Sequence, residues 1–301
     1  MVMVMNKNRE IIISLCSYLC VGEDVSPYTN GEWTKLYSKL QDSNKELKDI
    51  LSFSDEDYSN YLDYSSDDIN RISRLLTRSG SMAFELEKLA SRGINIITCA
   101  DDNYPRIFKD KLGVKCPPLL YYSGNLELVN NKSIGFVGSR SISDFDLDFT
   151  KGAVKYFVNQ GYQIVSGGAK GVDRTSTEYA LELGGKAIEI LSDSMGKRLK
   201  DLEVVNAIRD NRMLVLSERV PQSPFDVGFA MQRNKYIYCS SFLTVVVKSD
   251  YNKGGTWAGA KEAIKHKYTS VYVWDNDYLG NQELIKLGAN RIDRINKNNG
   301  E

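Results

Sequence analysis

The sequence predicts an α/β protein in which a parallel sheet carries helices on both faces and follows a small all-helical region. Three observations lead there. Residues 8–85 carry apolar side chains at helical spacing. From residue 133 onward, short apolar runs alternate with helix-like stretches: "SIGFVG", "YQIVSG", "KAIEIL", "MLVLSE", "FLTVVVK" and "SVYVWD". Glycine-bearing turns follow three of these runs and reopen as helices. The expected organisation is a helical domain over residues 1–90, a connector with a short strand over 91–130, the α/β domain over 131–290 and a polar tail over 291–301.

The elements follow in chain order. "MVMVMNKNREIIISLCSYLCVG" has early positive charge and then a twelve-residue apolar run. The run is too short to span a bilayer, and no small-residue cleavage site follows it. It reads as a first amphipathic helix of a cytoplasmic protein with no membrane partner. "NGEWTKLYSKLQDS" places Trp33, Leu36 and Leu40 on one face. "SSDDINRISRLLTRSG" opens with capping residues, turns Ile69, Ile72, Leu75 and Leu76 inward and is expected to stop near Gly80. "SMAFELEKLASRG" repeats the design with Gly93 as its stop. "INIITC" then reads as a strand, "DDNYPRIF" as a turn and "PPLLYYSGNLELV" as an extended connector.

Composition narrows the chemistry. Hydrophobic residues make up 42% and charged residues 26% of the 301, as in an ordinary globular chain. The 39 basic and 39 acidic side chains cancel, with four surplus acids in residues 1–128 and three surplus bases in 129–290. Net charge therefore gives no sign of a polyanion partner, and local clustering has to carry that question. Cys16, Cys20, Cys99, Cys116 and Cys239 are odd in number and scattered, so no disulfide framework is expected. His266, the single histidine, lies in the Lys-rich "AIKHKY" and reads as an exposed helix end. A structural zinc site is not expected, and histidine-dependent catalysis has only this residue to use.

Three turns carry special residues. "GFVGSRS" holds Gly138, Ser139 and Arg140. "SGGAKGVD" holds Ser166, Gly167, Gly168, Lys170, Gly171 and Asp173. "NKGGTWAG" holds Lys253, Gly254, Gly255 and Thr256. Glycine lets backbone approach an anion, and the helix start that follows supplies free N–H groups and a favourable dipole. The G-x-G-x-x-G fingerprint is absent after every strand, and "GGTWAGAK" misses the P-loop spacing by one residue. Tight helix-on-strand packing explains any one such turn; three in series, two with an adjacent cation, point to phosphate binding. A fourth element, "FAMQRNKYIYCSS", sets Arg233, Asn234 and Lys235 among Phe229, Tyr236 and Tyr238, a mixture that single-stranded nucleic acid binding uses.

These residues together resemble the DprA/Smf family of DNA-processing proteins. "LASRGINIITCADDNYPRIF", "PPLLYYSGNLELVNNKSIGFVGSR", "GYQIVSGGAKGVDRTSTEYALELGGKAIEIL" and "SERVPQSPFDVGFAMQRNKYI" are similar to successive segments of that family, over about residues 30–275. The resemblance implies an extended Rossmann-like domain and a SAM-like helical region before it. It also implies single-stranded DNA binding, a RecA-type recombinase as partner and dimers; no cofactor is expected. By match, it carries binding roles to Arg140, Ser166, Gly167, Lys170, Asp173, Arg233, Asn234, Lys235, Gly254 and Gly255. Arg140, Lys170, Arg233 and Lys235 would meet phosphates, and Ser166 with the glycine amides would bond phosphate oxygens. Asp173 would cap its helix and hold Lys170 or Arg140.

The sequence departs from the family pattern at several places. Thr177 stands for a histidine, "SDSMGKRLKD" for a Gly-rich turn with Tyr-Pro, and Lys248-Ser249 for Glu-Ala. The loop "DYNKGGTWAG" is longer, "WDND" replaces Pro-Gly, and no winged-helix segment is matched after residue 290.

Two function classes follow, and a third stands behind them. The first is a sequence-independent single-stranded DNA binding protein without chemistry of its own. The second is a Rossmann-like sensor or hydrolase of a small nucleotide. Hydrolases of that kind share P-G-G-x-G-T-x-x-E, which "KGGTWAGAKE" with Glu262 approaches at a different spacing. Glu189 or Glu218, at strand ends, would then serve as acid or base. The third is an interaction scaffold that has lost its ligand, which the retained Arg and Lys at the turns disfavour.

Overall fold

Capping chemistry sets the helices of the first half. In the computed structural model, which describes residues 6–22 and 24–293, the chain divides between Tyr121 and Tyr122 into two units. In the first unit α1 (Lys7–Cys16) is followed by α2 (Asn30–Asp42), α3 (Asp55–Leu62), α4 (Ser66–Leu76) and α5 (Ser79–Ala90). Reciprocal capping boxes open three of them: Thr29 with Glu32, Ser54 with Asp57, and Ser65 with Asp68. Trp33, Leu36, Leu40, Ile72 and Leu75 are buried as their spacing requires, while Ile69 and Leu76 are only partly covered.

Two details differ from expectation. α1 is not amphipathic: Ile11, Ile12, Ile13, Ser14 and Leu15 are all buried, so its second half is covered on every side while Lys7 at its start is exposed. Gly80 does not stop α4, which ends at Leu76; it sits in the first turn of α5. Arg78, between the two helices, explains the packing. Its guanidinium donates to the carbonyls of Ser14, Ser17 and Leu19, at 3.0, 2.7 and 2.6 Å. A helix end leaves such carbonyls without partners, and here a half-buried cation supplies donors. After α5 come β1 (Asn95–Thr98), α6 (Arg106–Leu112) and β2 (Leu119–Gly124), which carries the chain into the second unit. In "DDNYPRIF" the first four residues turn as expected, and α6 starts directly after Pro105. All five cysteines are free thiols.

The second unit alternates strand and helix: β3 (Ser133–Val137), α7 (Asp144–Asn159), β4 (Gln163–Ser166), α8 (Val172–Glu182), β5 (Ala187–Leu191), α9 (Met195–Arg198), α10 (Leu202–Arg209), β6 (Met213–Ser217), α11 (Val227–Ser240), β7 (Leu243–Val246), α12 (Gly254–His266), β8 (Ser270–Trp274), α13 (Leu279–Lys286) and β9 (Asn290–Ile292). These strands lie in the order β6-β5-β4-β3-β7-β8-β9, and each pairing is parallel. β3 to β6 are buried at every residue, as befits strands covered on both faces. The chain steps outward from β3 to β6, then returns through α11 to lay β7 on the other side of β3. That reversal makes a switch point between β3 and β7, where a crevice opens beyond the strands' carboxyl ends. β3, α7 and β7 share a core in which Phe149 stacks on Trp274 at 4.1 Å. The polar tail expected from residue 291 begins instead as β9, paired with β8 at Tyr272↔Asn290; residues 294–301 lie outside the described residues. Among the described residues no helix is long and apolar enough to cross a membrane.

Replacing Arg78 with Met keeps most of the apolar stem but strands three part-buried carbonyls. The expected loss is about 2–4 kcal/mol of stability, read from urea unfolding followed by circular dichroism. A loss under about 0.5 kcal/mol would mean that water reaches those carbonyls.

Candidate functional site

The crevice at the switch point is a cleft of about 590 Å³. Residues after β3, β4 and β7 line it, together with one face of α11. It gathers Gly138, Ser139, Arg140, Asp173, Arg233, Asn234, Gly254, Gly255 and Thr256 of the residues singled out from sequence. Ser166, Gly167, Gly168, Lys170 and Lys235 are not on its wall. Arg140 is exposed at its rim, with its guanidinium over the Phe225 ring at 4.4 Å.

The second turn, "SGGAKGVD", is a packing junction rather than an open cradle. Ser166 is fully buried and donates its hydroxyl to the Phe136 carbonyl at 2.6 Å, so it is not available to a phosphate. A β-carbon on Gly167 would lie 1.3 Å from Nη1 of Arg233. The bare glycine is the slot that admits the guanidinium. Gly171, at φ +83°, lets the turn press against the first one, where a β-carbon would meet the Ser139 carbonyl at 2.3 Å. The amides at the start of α8 are used within the protein: Val172 N donates to Ser139 O at 3.3 Å and Arg174 N to Ala169 O at 2.9 Å. Lys170 stands exposed at the tip. The glycines do signal close approach, but what approaches is another part of the chain.

Arg233 is the centre of this junction. It is 4% exposed, and its Nη1 lies 3.5 Å from Oδ2 of Asp173, itself buried. Burial pushes the Asp173 carboxyl up despite the cation beside it, and burial pulls the Arg233 guanidinium down despite the carboxylate. The pair therefore does not offset its own desolvation. Among the described residues Nε of Arg233 has no partner. Asp173 faces Arg233 rather than Lys170 or Arg140. Lys235, expected to meet phosphate, pairs with Glu262 on α12 at 3.2 Å instead. Asn234 donates to the Gly255 carbonyl at 3.0 Å and so ties α11 to the start of α12. Tyr236 and Tyr238 are buried, and Phe229 lies under Arg219 at 4.1 Å, so the expected aromatic platform is not on offer.

The third turn is the open one. α7 begins with the Ser143–Asp146 capping box, and Asp226 accepts from Phe229 N at the start of α11. α12 begins at Lys253 with no side-chain cap. Gly254 has φ +74°, and a β-carbon there would meet nothing within 4 Å. Among the described residues the start of α12 thus has no side-chain cap, and Gly254, Gly255 and Thr256 of its first turn line the cleft. Lys248 and Lys253 line the same wall. Lys248 is held by buried Asp146 at 3.2 Å. Asp146 also accepts from Ser143 N, Ser143 Oγ and Tyr278 Oη at 2.8, 3.0 and 2.9 Å. Burial works to raise its carboxyl, but these bonds outweigh it and hold the group below the usual carboxylate range. The opposite wall is apolar, made by Phe225, Val227, Ala230 and Met231. Sequence reasoning missed this wall; the signal was the apolar "PFDVGFAM", whose Phe225, Val227 and Met231 are 45%, 65% and 45% exposed.

The carboxylates considered for proton transfer are committed elsewhere. Glu189 is fully buried and gripped by Arg198, with Nε–Oε2 at 2.8 Å and Nη2–Oε1 at 2.7 Å. Thr177, at the position where the family pattern has histidine, donates to Glu189 Oε1 at 2.7 Å. Arg198 also reaches Glu178 and Asp201, at 3.2 and 2.6 Å. Glu218 accepts from Tyr236 Oη at 2.8 Å and Gln232 at 3.2 Å. Neither Glu189 nor Glu218 lines the cleft. His266 ends α12, thirteen residues from the turn that opens it. Among the described residues no cluster of His, Cys, Asp and Glu could hold a metal.

Comparison with known proteins gives the family. The sequence profile of the family described as DNA recombination-mediator protein A matches residues 95–299. The chain belongs to that family. It is 33% identical over 145 residues to the DNA processing protein DprA of Streptococcus pneumoniae, a match covering 46% of this chain and 48% of that relative, about half its length. The X-ray structure of DprA from S. pneumoniae superposes with a TM-score of 0.70 at 23% identity, over 95% of this chain and 94% of that one. A structure of DNA processing protein A from Helicobacter pylori, described for its unique single-stranded DNA binding mode, gives a TM-score of 0.52 at 24% identity, over 66% and 90%. At these identities the likeness of structure is one of fold.

Two outcomes follow for this family member. Gly167→Ala drives a methyl into the guanidinium of Arg233 and lowers the melting temperature sharply, whereas Gly254→Ala, with open space around it, costs only the strain of its positive φ, about 1 kcal/mol. Arg198→Ala leaves Glu189 buried without its cation, for an expected loss of about 3–5 kcal/mol, while the double change Arg198→Met/Glu189→Met recovers most of it. Urea unfolding of the single and double variants checks the second; equal losses in both would refute it.

Proposed function

We propose that the protein binds single-stranded DNA without sequence preference, through phosphates held in the cleft, and acts in DNA processing and recombination. The observation that carries this reading is the uncapped start of α12, which shares one cleft with Arg140, Lys253 and a buried Arg233 that lacks a full set of partners. In this reading Arg140, Ser139, Lys253, Gly254, Gly255 and Thr256 meet the strand, and Lys170 adds charge at the rim. Asp173, Arg233 and Asn234 hold the turns in place, with Gly138, Ser166, Gly167 and Gly168 as their packing. Family membership and the single-stranded DNA mode named for the H. pylori relative support the ligand class. We further propose, from the sequence resemblance alone, a RecA-type recombinase as partner, a dimer as the working form and the cytoplasm as the place of action. No step of bond making is assigned, because the carboxylates weighed for it are tied up in Arg198 and Tyr236. The cleft volume also suits a free nucleotide, which is the second reading.

Fluorescence anisotropy of a labelled oligonucleotide tests the first. Binding should fall with added salt, prefer the single strand over the duplex and tolerate any sequence. Arg140→Ala and Lys253→Ala should each weaken every strand about tenfold and reduce the salt slope by about 0.7. A slope like the parent's in both variants would reject this site, and an absence of strand binding at low salt would reject the function.

A further inference from the structure

We propose that the cleft is built for a phosphomonoester, the terminal phosphate of a strand or of a mononucleotide, rather than for an internal phosphodiester. The inference rests on the reading of this cleft as a phosphate site and concerns which phosphate it takes. Charge is the first argument. Arg140, Arg233, Lys248 and Lys253 line the cleft against Asp173 and Asp250, and Asp146 stands behind Lys248, which leaves a surplus of one cation to which the start of α12 adds about half a charge. A phosphodiester brings one negative charge and two free oxygens, whereas a monoester brings nearly two charges and three oxygens at neutral pH.

Donor geometry is the second. Of the helix starts around the cleft, those of α7 and α11 carry their own side-chain caps. That of α8 gives amides to Ser139 and Ala169. Among the described residues only the start of α12 has neither, and it lines the cleft together with Lys253, Lys248 and Thr256. Independently of that helix, Arg233 is 4% exposed on the same cleft and keeps Nε without a partner. A buried cation whose carboxylate does not offset its desolvation is served by a ligand of higher charge.

The third argument is the closed inner wall. Arg233 fills the space over Gly167, a β-carbon on Gly138 would meet Val172 at 2.4 Å, and Gly171 lies against Ser139. An internal phosphate seated against this wall must lead two ester arms back out past Arg140 and the apolar side of α11. A terminal phosphate leads out one. Lys248, which Asp146 holds at 3.2 Å, is fixed on the wall rather than free to follow a strand.

The test uses the full chain and one oligonucleotide sequence in three forms: 5′-phosphorylated, 3′-phosphorylated and with hydroxyls at both ends. dAMP, deoxyadenosine and inorganic phosphate serve as competitors. The expected result is that one phosphorylated end binds about tenfold tighter than the dihydroxyl strand, that Lys253→Ala and Lys253→Met both erase this advantage, and that dAMP competes where deoxyadenosine does not. Equal affinity of the three strands overturns the proposal and leaves strand binding intact. Binding of dAMP with no strand bound upholds the monoester site and overturns the strand reading. If neither a strand nor dAMP binds, both fall.

Discussion

The seat of Arg233 over Gly167 is the constraint on which the rest of the site depends. A guanidinium has been placed where any other residue at 167 would put a side chain, and it is held there by a buried carboxylate from α8. That one insertion joins α11, which lies over the sheet, to the turn that leaves β4. Through the neighbouring Asn234 the same helix also fixes the turn that leaves β7. Three segments far apart in sequence are thereby brought to one crevice, at the place where the order of the strands reverses. The ion pair is not a large source of stability, since burial works against both partners. It sets geometry, and it leaves an incompletely satisfied cation beside the cleft.

A second buried network stands behind the first. Glu189 lies beside Ser166 in the register of β5 and β4, and its carboxylate is filled by Arg198 and Thr177. Around Glu189 every oxygen has a donor, whereas around Arg233 a donor lacks an acceptor. Satisfied polar groups make rigid framework, and an unsatisfied one beside a cleft calls for an explanation. The contrast between these two networks separates scaffold from site more sharply than the positions of the charges do.

Much of the fold was legible in the sequence because its signals are local. Six apolar runs became β3 to β8, and the Ser and Thr caps opened helices where they stood. What was not legible was the destination of long side chains. Arg233 and Lys235 sit two apart on one helix, so their faces diverge; one is buried under a glycine and the other pairs with Glu262. Glycines in "SGGAKGVD" reported a close approach but not its partner, which is the first turn and a guanidinium rather than an anion. Ser166 belonged to the interior because its strand is buried on both faces, a fact that only the strand order supplies. Lys248 read as a departure from pattern and is instead fixed in the cleft by Asp146, a hundred residues earlier in the chain. The family, carried by the joint occurrence of motifs, was readable before any coordinate.

The uncapped start of α12 has one more consequence, for the thermodynamics of the unliganded chain. A Ser, Thr, Asp or Asn at position 253 would supply the missing acceptor and add about 1 kcal/mol of helix stability. Lysine at 253 leaves that increment unused. The resting protein is therefore less stable than its fold allows, and an anion that occupies the turn completes the helix. Occupancy and folding are linked there, so that a ligand held at this turn acts as a detachable part of the secondary structure.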